Sequence, residues 1–289
     1  MAHRILSAQN DEQHTLLLMA SSAAYRNAKR GAIFITFFIM LLSYAYPITY
    51  VFIKDETTKL ILFGFSFVLN IAIQILTGFL KDNTSKGALF KEEFDVTLFG
   101  LPWKTTLKKP EHTDVIRYAR RYTGAPPADW YSVRLSEKLP DEIAVAAFQH
   151  TNTSWDIDLR KKYMHRLIAY MLFYTAALAA LLAVRQADFL TVFFTLFSVF
   201  MFYSHFITLI RGHSSAIKRR ESISAMLDEI IFARKNADVN GLRDIQDEIY
   251  YTRQESAKVP DFFFRFYKER LSKAAEAFIE RVNGTYREK

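Results

Sequence analysis

The densest run of polar side chains in the sequence lies between residues 148 and 160. On a helix, Gln149, Asn152, Asp156 and Arg160 would share one face at spacings of three, four and four residues, with Trp155 beside them. Asp156 and Arg160 have the spacing of an ion pair between successive helical turns. We therefore predict a polar network here, with a structural or a signal-sensing role.

A metal site in the same run is the alternative. His150 lies close in sequence to Asp156 and Asp158, and imidazole and carboxylate groups both ligate metal ions. Their spacing matches no recognised set of ligands. The expectation is therefore that the chain binds no metal and that the network is structural.

The sequence contains no signature of catalysis or of a cofactor. It lacks a phosphate-cradling glycine loop, a helix with paired histidines for zinc, and a nucleophile elbow. The 289 residues include no Cys, which excludes disulfides, thiolate catalysis and cysteine-ligated metal. We expect no catalytic residues, no cofactor and no enzymatic activity.

Basic residues cluster in the middle of the chain. They are Lys108, Lys109, Arg117, Arg120 and Arg121. Such a cluster can bind the phosphate groups of a nucleotide or of a lipid, and the alternative is a solvated helix face. The chain has a net charge of +8, and many of its basic residues stand next to apolar blocks. This placement favours lipid over a DNA or RNA duplex as the partner.

Four apolar blocks must position these polar groups. They comprise residues 32–53, 60–80, 167–184 and 189–210, and none contains Asp, Glu, Lys or Arg. Each is close to the ~20 residues that an α-helix needs to cross the hydrocarbon of a bilayer. We predict four transmembrane helices, because the buried helices of soluble proteins rarely exclude charge over such lengths.

Two of the predicted membrane helices carry polar stripes. Ser66, Asn70 and Gln74 recur every four residues on the second helix. A comparable stripe on the fourth helix comprises Thr191, Thr195, Ser198 and His205. Amides and imidazoles are costly against lipid, so both stripes are expected to face the bundle interior or a water-filled path. They either form hydrogen bonds between helices or line a pore.

Lys and Arg residues are concentrated on one side of the predicted membrane. On the other side only Lys54, Lys59 and Arg185 appear near the ends of the blocks. An excess of positive residues marks the cytoplasmic side. The sequence therefore predicts a multi-pass membrane protein with both termini in the cytoplasm.

The cytoplasmic regions are predicted to be mainly helical. An amphipathic helix in residues 1–31, with Asn10 and Gln13 placed to cap it, leads straight into the first membrane helix. Residues 81–166 form a central loop that holds all three Trp residues, and we therefore interpret it as folded. The tail, residues 211–289, is predicted to form three helices.

Two helices are predicted in the central loop. One covers residues 113–122, and the other begins near Pro140 and continues into the third membrane helix. The predicted fold class is all-α: two transmembrane helical hairpins, with a mainly helical cytoplasmic domain built from the central loop and the C-terminal tail.

Several fragments in a characteristic order resemble the bacterial SMODS-associating four-transmembrane effector family. They are Lys91 to Asp95 followed by Leu98, Phe99 and Trp103; the triplet Asp129, Trp130 and Tyr131; the stretch from Gln149 through Trp155 to Arg160; and, in the tail, Ile245 to Tyr250, Arg253 and Val259 to Asp261. The resemblance spans nearly the whole chain. The family pattern tends to have Arg at the position of His150, so the resemblance assigns no role to this histidine.

The resemblance implies a function. Such proteins are associated with nucleotidyltransferases that make cyclic or linear oligonucleotide signals in bacterial antiviral systems. The implied role is that of an inner-membrane effector that disrupts or permeabilises the bilayer when the signal arrives. The implied partners are the lipid bilayer and an oligonucleotide.

Three functional hypotheses follow from these observations. The leading one is a signal-gated effector that is a homo-oligomer when active, because a four-helix protomer is too narrow to enclose a wide pore alone. The second is a membrane-anchored adaptor without pore activity. The third is a small-solute channel or transporter, against which stand the lack of evident internal repeats and of charged residues at membrane depth.

Overall fold

The structure is a computed structural model that describes residues 2–235 and 238–287. In these residues it contains nine α-helices and no strand, which confirms the all-α class. The helices are α1 (Ala2–Ala8), α2 (Glu12–Phe52), α3 (Glu56–Phe99), α4 (His112–Ala119), α5 (Asp141–Ser154), α6 (Ile157–Val184), α7 (Phe189–Ile231), α8 (Val239–Glu255) and α9 (Asp261–Arg287).

Four helical stretches in the described part of the chain are long and apolar enough to cross a membrane. They are α2, α3, α5 together with α6, and α7, and each contains one of the four apolar blocks. The 41 residues of α2 extend about 60 Å at 1.5 Å per residue. Because the hydrocarbon layer is only about 30 Å thick, α2, α3 and α7 each extend far beyond their apolar segment.

Short connections join consecutive long helices. Three residues separate α2 from α3, and four residues separate α6 from α7. The side chains of Asp55 and Asp188 cap α3 and α7, each accepting a hydrogen bond of 2.7 Å from a backbone N–H group. Lys59 Nζ donates to Thr191 Oγ1 at 2.8 Å. The two connections therefore meet at the same end of the bundle.

The apolar end of the bundle comprises residues 32–80 and 167–210. Its core includes Ile39, Tyr174, Val199 and Phe202. Its outer surface exposes large apolar side chains, among them Phe34, Phe65, Phe173 and Phe200. An extended apolar surface of this kind is typical of contact with lipid.

The polar end of the bundle contains the remaining described residues. Its core combines Ile5 of α1 with Phe94, Phe148, Leu227 and Ile249. These residues come from α1, α3, α5, α7 and α8, so the helices that leave the apolar end are held together by a second core.

The helix boundaries differ from the predictions in the central loop. The helix predicted over residues 113–122 is α4, which ends at Ala119. The helix that begins after Pro140 does not run unbroken into the apolar segment, because Asp156 adopts φ −105° and ψ 2° between α5 and α6. This break turns the Asp156 carboxylate toward α7, where it meets Arg220.

The three helices predicted in the tail are the end of α7, α8 and α9. The predicted cap of the N-terminal helix was wrong. Asp11, not Asn10, is the N-cap residue of α2. The Asn10 side chain instead donates to Asp129 Oδ1 at 2.9 Å, which fixes the N-terminus to the loop before α5.

Candidate functional site

The predicted polar face is divided between two helices. Gln149 and Asn152 lie on α5, whereas Asp156 precedes α6 and Arg160 lies in its first turn. Their side chains lie in three adjoining groups of polar contacts inside the polar end, centred on Asp156, Asp95 and Glu92, and we call the three groups together the buried ion network. Arg220 Nη1 links the first two groups by donating to the backbone oxygen of Asn152 at 3.5 Å. The members of the network are Lys91, Glu92, Asp95, Tyr131, Gln149, Asn152, Asp156, Arg160, Arg220, Arg243, Gln246 and Arg253.

Asp156 joins two of the long helices. Arg160 Nε donates to Asp156 Oδ2 at 2.7 Å, so the ion pair predicted from the spacing is confirmed. Nη1 of Arg220, on α7, lies 3.0 Å from Asp156 Oδ1. Arg160 also donates to the backbone oxygen of Ala257 at 2.7 Å. One carboxylate thus connects α6 to α7 and, through Arg160, to the segment after α8.

Asp95, on α3, is the second centre of the network and is fully buried. Its Oδ1 accepts a hydrogen bond from the Tyr131 hydroxyl at 2.6 Å and lies 3.2 Å from Lys91 Nζ. Its Oδ2 lies 2.6 Å from Arg253 Nη2 of α8. Asn152 Nδ2 donates to the Tyr131 oxygen at 2.5 Å. These contacts connect α3 with α5 and α8.

Glu92, one residue after Lys91, extends the network along α8. Arg243 Nη2 donates to Glu92 Oε1 at 2.5 Å, and Gln246 Nε2 donates to Oε2 at 2.8 Å. Gln149 Nε2 in turn donates to Gln246 Oε1 at 3.2 Å and to the backbone oxygen of Leu242 at 2.9 Å. Both oxygens of this buried carboxylate therefore have partners.

Tyr25 brings α2 to the same place. Lys258 Nζ lies 4.5 Å from the centre of the Tyr25 ring and donates to the backbone oxygen of Arg253 at 3.3 Å. Gly87 of α3 leaves room for this ring, since a β-carbon there would lie 3.0 Å from it. All four long helical stretches therefore contribute to the network or to its immediate neighbours.

The network keeps two of its carboxylates, those of Asp95 and Asp156, ionised, whereas burial raises the pKa of the third, Glu92. Burial alone would raise the pKa of Asp95, but Arg253 and Lys91 hold it below its usual value. Burial likewise opposes ionisation of Asp156, and its two arginines keep that pKa below the usual range. Both groups therefore act as fixed negative charges at neutral pH.

The network contains more cations than carboxylates. Its five Lys and Arg members face three carboxylates, of which Glu92 and Asp95 are buried and Asp156 is half-buried, with Asp247 at the edge beside Arg243. Burial lowers the pKa of Lys91 to about 7 and that of Arg220 to about 10, although a nearby carboxylate opposes each shift. Arg220 Nε and Arg253 Nη1 are buried without a hydrogen-bond partner. An excess of buried positive charge with free donors is suited to attract an anion.

The structure does not bring the three residues of the metal alternative together. The His150 ring stacks on Phe278 with centroids 4.0 Å apart, and its Nε2 lies 3.4 Å from Asp228. Asp158 pairs with Lys162 at 2.8 Å on the surface, while Asp156 is occupied by its two arginines. Across residues 2–235 and 238–287, no group of three or more His, Asp or Glu side chains is arranged to hold a metal ion.

The predicted basic cluster is dispersed into local contacts. Lys108 pairs with Glu111 at 2.8 Å, and Arg117 pairs with Asp114. Two further residues make cation–π contacts: Lys109 Nζ lies 5.6 Å from the centre of the Trp103 ring, and the Arg121 guanidinium lies 5.4 Å from the centre of the Tyr118 ring. Arg120 is exposed. A phosphate or lipid contact at these residues stays a prediction.

The polar stripe on α7 makes contacts between helices. His205 Nε2 is hydrogen bonded to Thr36 Oγ1 of α2 at 2.9 Å, and Ser198 Oγ donates to the Tyr50 hydroxyl at 3.3 Å. Thr191 accepts from Lys59, as described above. Thr195 is fully buried, and its hydroxyl has no hydrogen-bond partner.

The polar stripe on α3 is split between the inside and the outside of the bundle. Ser66 is buried and donates to Phe63 O at 2.7 Å, and Asn70 Nδ2 donates to Ser66 O at 2.9 Å. Ser66, Asn70 and Ser198 line a cavity of about 10 Å³, which holds one water at most. Gln74 is exposed on the outer surface. Within one chain, the α7 stripe therefore makes hydrogen bonds between helices, whereas the hydrogen bonds of Ser66 and Asn70 stay within α3.

His213 of α7 gives the network a predicted sensitivity to acid. Its Nδ1 lies 3.3 Å from Arg160 Nη1, and burial together with this neighbour lowers the pKa of His213 to about 3. Between pH 6.5, where the imidazole of an unfolded chain titrates, and pH 3, the unfolded state binds more protons. Stability is therefore expected to fall with decreasing pH in this window, by about 1.4 kcal/mol per pH unit from this group.

Melting temperatures in detergent micelles between pH 7 and pH 4 test this expectation. The His213→Asn variant is expected to lose stability less steeply than the natural chain as the pH falls. His112→Asn, at an exposed histidine, is the control and is expected to follow the natural chain. Equal slopes for all three proteins would contradict a role for His213.

Comparisons with known proteins identify the family. No curated protein and no solved structure matches the chain. A family model described as the SMODS-associating 4TM effector domain matches residues 3–282, which is nearly the whole chain. This match confirms the resemblance seen in the sequence fragments, and with the four apolar helical stretches it supports a multi-pass membrane protein. The chain therefore belongs to the SMODS-associating 4TM effector domain family.

Proposed function

We propose that this protein is the membrane effector of a bacterial antiviral system that uses nucleotide signals, and that it permeabilises the inner membrane when activated. The family, an effector domain associated with SMODS nucleotide signalling, supports the class of function. The observation that carries the finer proposal is the buried ion network, because side chains from all four long helical stretches meet in it or against it.

The network supplies a route from signal to membrane. The phosphate groups of a cyclic or linear oligonucleotide are negatively charged. The Lys and Arg side chains of the network, which outnumber its carboxylates, would attract them. An added anion would compete with Asp95 and Asp156 for their arginines, and the contacts that fix α3, α6, α7 and α8 relative to each other would be redistributed. In this proposal the protein converts binding energy into helix rearrangement and performs no enzymatic reaction.

A conducting state in this proposal is a homo-oligomer. The interior of one chain offers a cavity of only about 10 Å³ between α2, α3 and α7. The exposed Gln74 places a polar group on the outer surface of the apolar end, where neighbouring copies would meet. Copies arranged around an axis could surround a path that no single chain encloses.

Leakage from liposomes tests the proposal. Purified protein in vesicles loaded with a self-quenched dye is expected to release the dye only after a cyclic or linear oligonucleotide of the matching kind is added. A panel of both kinds, with mononucleotides as controls, distinguishes a signal from general anion binding. The adaptor hypothesis would be favoured if no oligonucleotide released the dye and the protein bound a partner protein tightly.

The proposed orientation is tested separately by thiol labelling. The natural chain has no Cys, so single cysteines introduced at Ser272 and Thr57, both exposed, report without background. With both termini in the cytoplasm, an impermeant thiol reagent is expected to label Thr57→Cys in intact cells and to spare Ser272→Cys. Permeabilised cells, in which both react, are the control. Labelling of Ser272→Cys in sealed cells would reverse the orientation.

A further inference from the structure

The first turns of α9 lie beside the first lipid-facing residues of the bundle. Asp261, at the start of α9, pairs with Lys29 of α2 at 2.5 Å. Six residues later, the Tyr267 hydroxyl accepts a hydrogen bond from Arg166 of α6 at 3.0 Å. On α2, the exposed apolar surface begins at Ile33, one helical turn or about 6 Å beyond Lys29. The third apolar block begins directly after Arg166.

Two aromatic side chains on this part of α9 are largely exposed, and the ring contact of Phe266 is with its chain neighbour Tyr267, at 5.1 Å between centroids. Phe262 and Phe266 are 63% and 78% exposed. They lie one turn apart, each about 100° around the helix from a residue that contacts α6, Phe263 or Tyr267. On the inner side, Phe263 packs against Tyr163 with ring centroids 5.1 Å apart, so α9 is held in place independently of its exposed rings.

We propose that the first three turns of α9 form a membrane-surface anchor. Phe262 and Phe266 insert among the lipids of the leaflet next to the polar end, at the level between headgroups and acyl chains. Arg265, Lys268 and Arg270, which are exposed on the same turns, contact the phosphate groups of anionic lipids.

Lipid fits this surface better than a second copy of the chain. The contacts of Asp261 with Lys29 and of Tyr267 with Arg166 place the two rings close to where the exposed apolar surface of the bundle begins. Two Phe side chains bury about 150–250 Å² each, whereas a stable protein interface needs about 800 Å² per partner. Aromatic rings beside basic side chains at the end of apolar helices are typical of the membrane–water boundary.

A fluorescent label with a lipid-bound quencher tests the anchor. In full-length protein, Phe266→Cys is labelled with an environment-sensitive dye and placed in vesicles of phosphatidylethanolamine and phosphatidylglycerol. Ala277→Cys is the matched control: it is exposed on the same face of α9, eleven residues or about 16 Å further along the helix. With a nitroxide on an upper acyl carbon, the label at 266 is expected to lose most of its fluorescence and the label at 277 little. Phe262→Cys is expected to behave like Phe266→Cys.

Three results would overturn the anchor. One is equal quenching by the lipid nitroxide at positions 266 and 277. Another is quenching of the 266 label by aqueous iodide as strong as that of the 277 label. The third is self-quenching of the 266 label that dilution with unlabelled protein relieves, which would assign the rings to a second copy. None of these readouts depends on a nucleotide signal or on leakage, so the anchor and the proposed function fail separately.

Discussion

The Asp156→Asn variant is expected to lose about 3–5 kcal/mol of unfolding free energy, the usual range when one partner of a buried ion pair is removed. The amide keeps the shape of the side chain and removes its charge. Arg160 and Arg220 would then lie buried side by side without the anion that both now contact at 2.7 and 3.0 Å. Denaturation of the protein in detergent micelles measures the loss.

Asp158→Asn is the matched control for this variant. It makes the same chemical change two residues away, at a side chain that is 52% exposed and pairs with Lys162 at 2.8 Å. An exposed ion pair contributes little, so this variant is expected to lose less than about 1 kcal/mol. Similar losses in the two variants would show that Asp156 does not act as a buried counter-ion.

Gln74→Leu is expected to abolish signal-dependent dye leakage while leaving the melting temperature unchanged. Gln74 is exposed on the outer surface of the apolar end, so its replacement breaks no contact within the chain that a folded monomer needs. In the proposed assembly it supplies a polar group that replaces the hydration of a passing ion, and Leu cannot do so. Membrane insertion is expected to be kept, since added apolarity favours it.

Two comparison variants make the leakage result specific. Thr77→Val changes another exposed polar residue of α3 outside the four-residue repeat and is expected to leak normally. Asn70→Leu removes the amide that donates to Ser66 O, so a change in its melting temperature is expected as well. Normal leakage by Gln74→Leu would contradict a pore lined by this residue and favour a packing role for the stripe.

The membrane-facing part of the fold was the most predictable from the sequence. Charge exclusion over about 20 residues has one dominant physical cause, the cost of placing charge in hydrocarbon, and all four blocks lie in long helices. The helix ends were less predictable because tertiary contacts decide them. The break before α6 is an example, since it places Asp156 against Arg220, 64 positions later in the chain.

The candidate site was predicted only where its contacts are local. The pair formed by Asp156 and Arg160 follows from helical spacing, and the same signal was present in Lys91 and Asp95, which also lie four residues apart. Their arginine partners, Arg220 and Arg253, come from distant helices. No periodicity within one segment reveals such a pairing. For the same reason, the sequence did not show that Gln74 is exposed while Ser66, two turns earlier, is buried.

The break between α5 and α6 makes the four long stretches mechanically unequal. α7 is one uninterrupted rod, and Arg220 is attached to it roughly 45 Å from Phe189 at 1.5 Å per residue. A rotation of α7 about its own axis at Arg220 would therefore be transmitted to its apolar segment. α5 and α6 meet instead at a joint of two residues, Trp155 and Asp156. The third apolar segment is therefore joined to α5 through a non-helical joint, whereas the fourth is continuous with the part of α7 that carries Arg220.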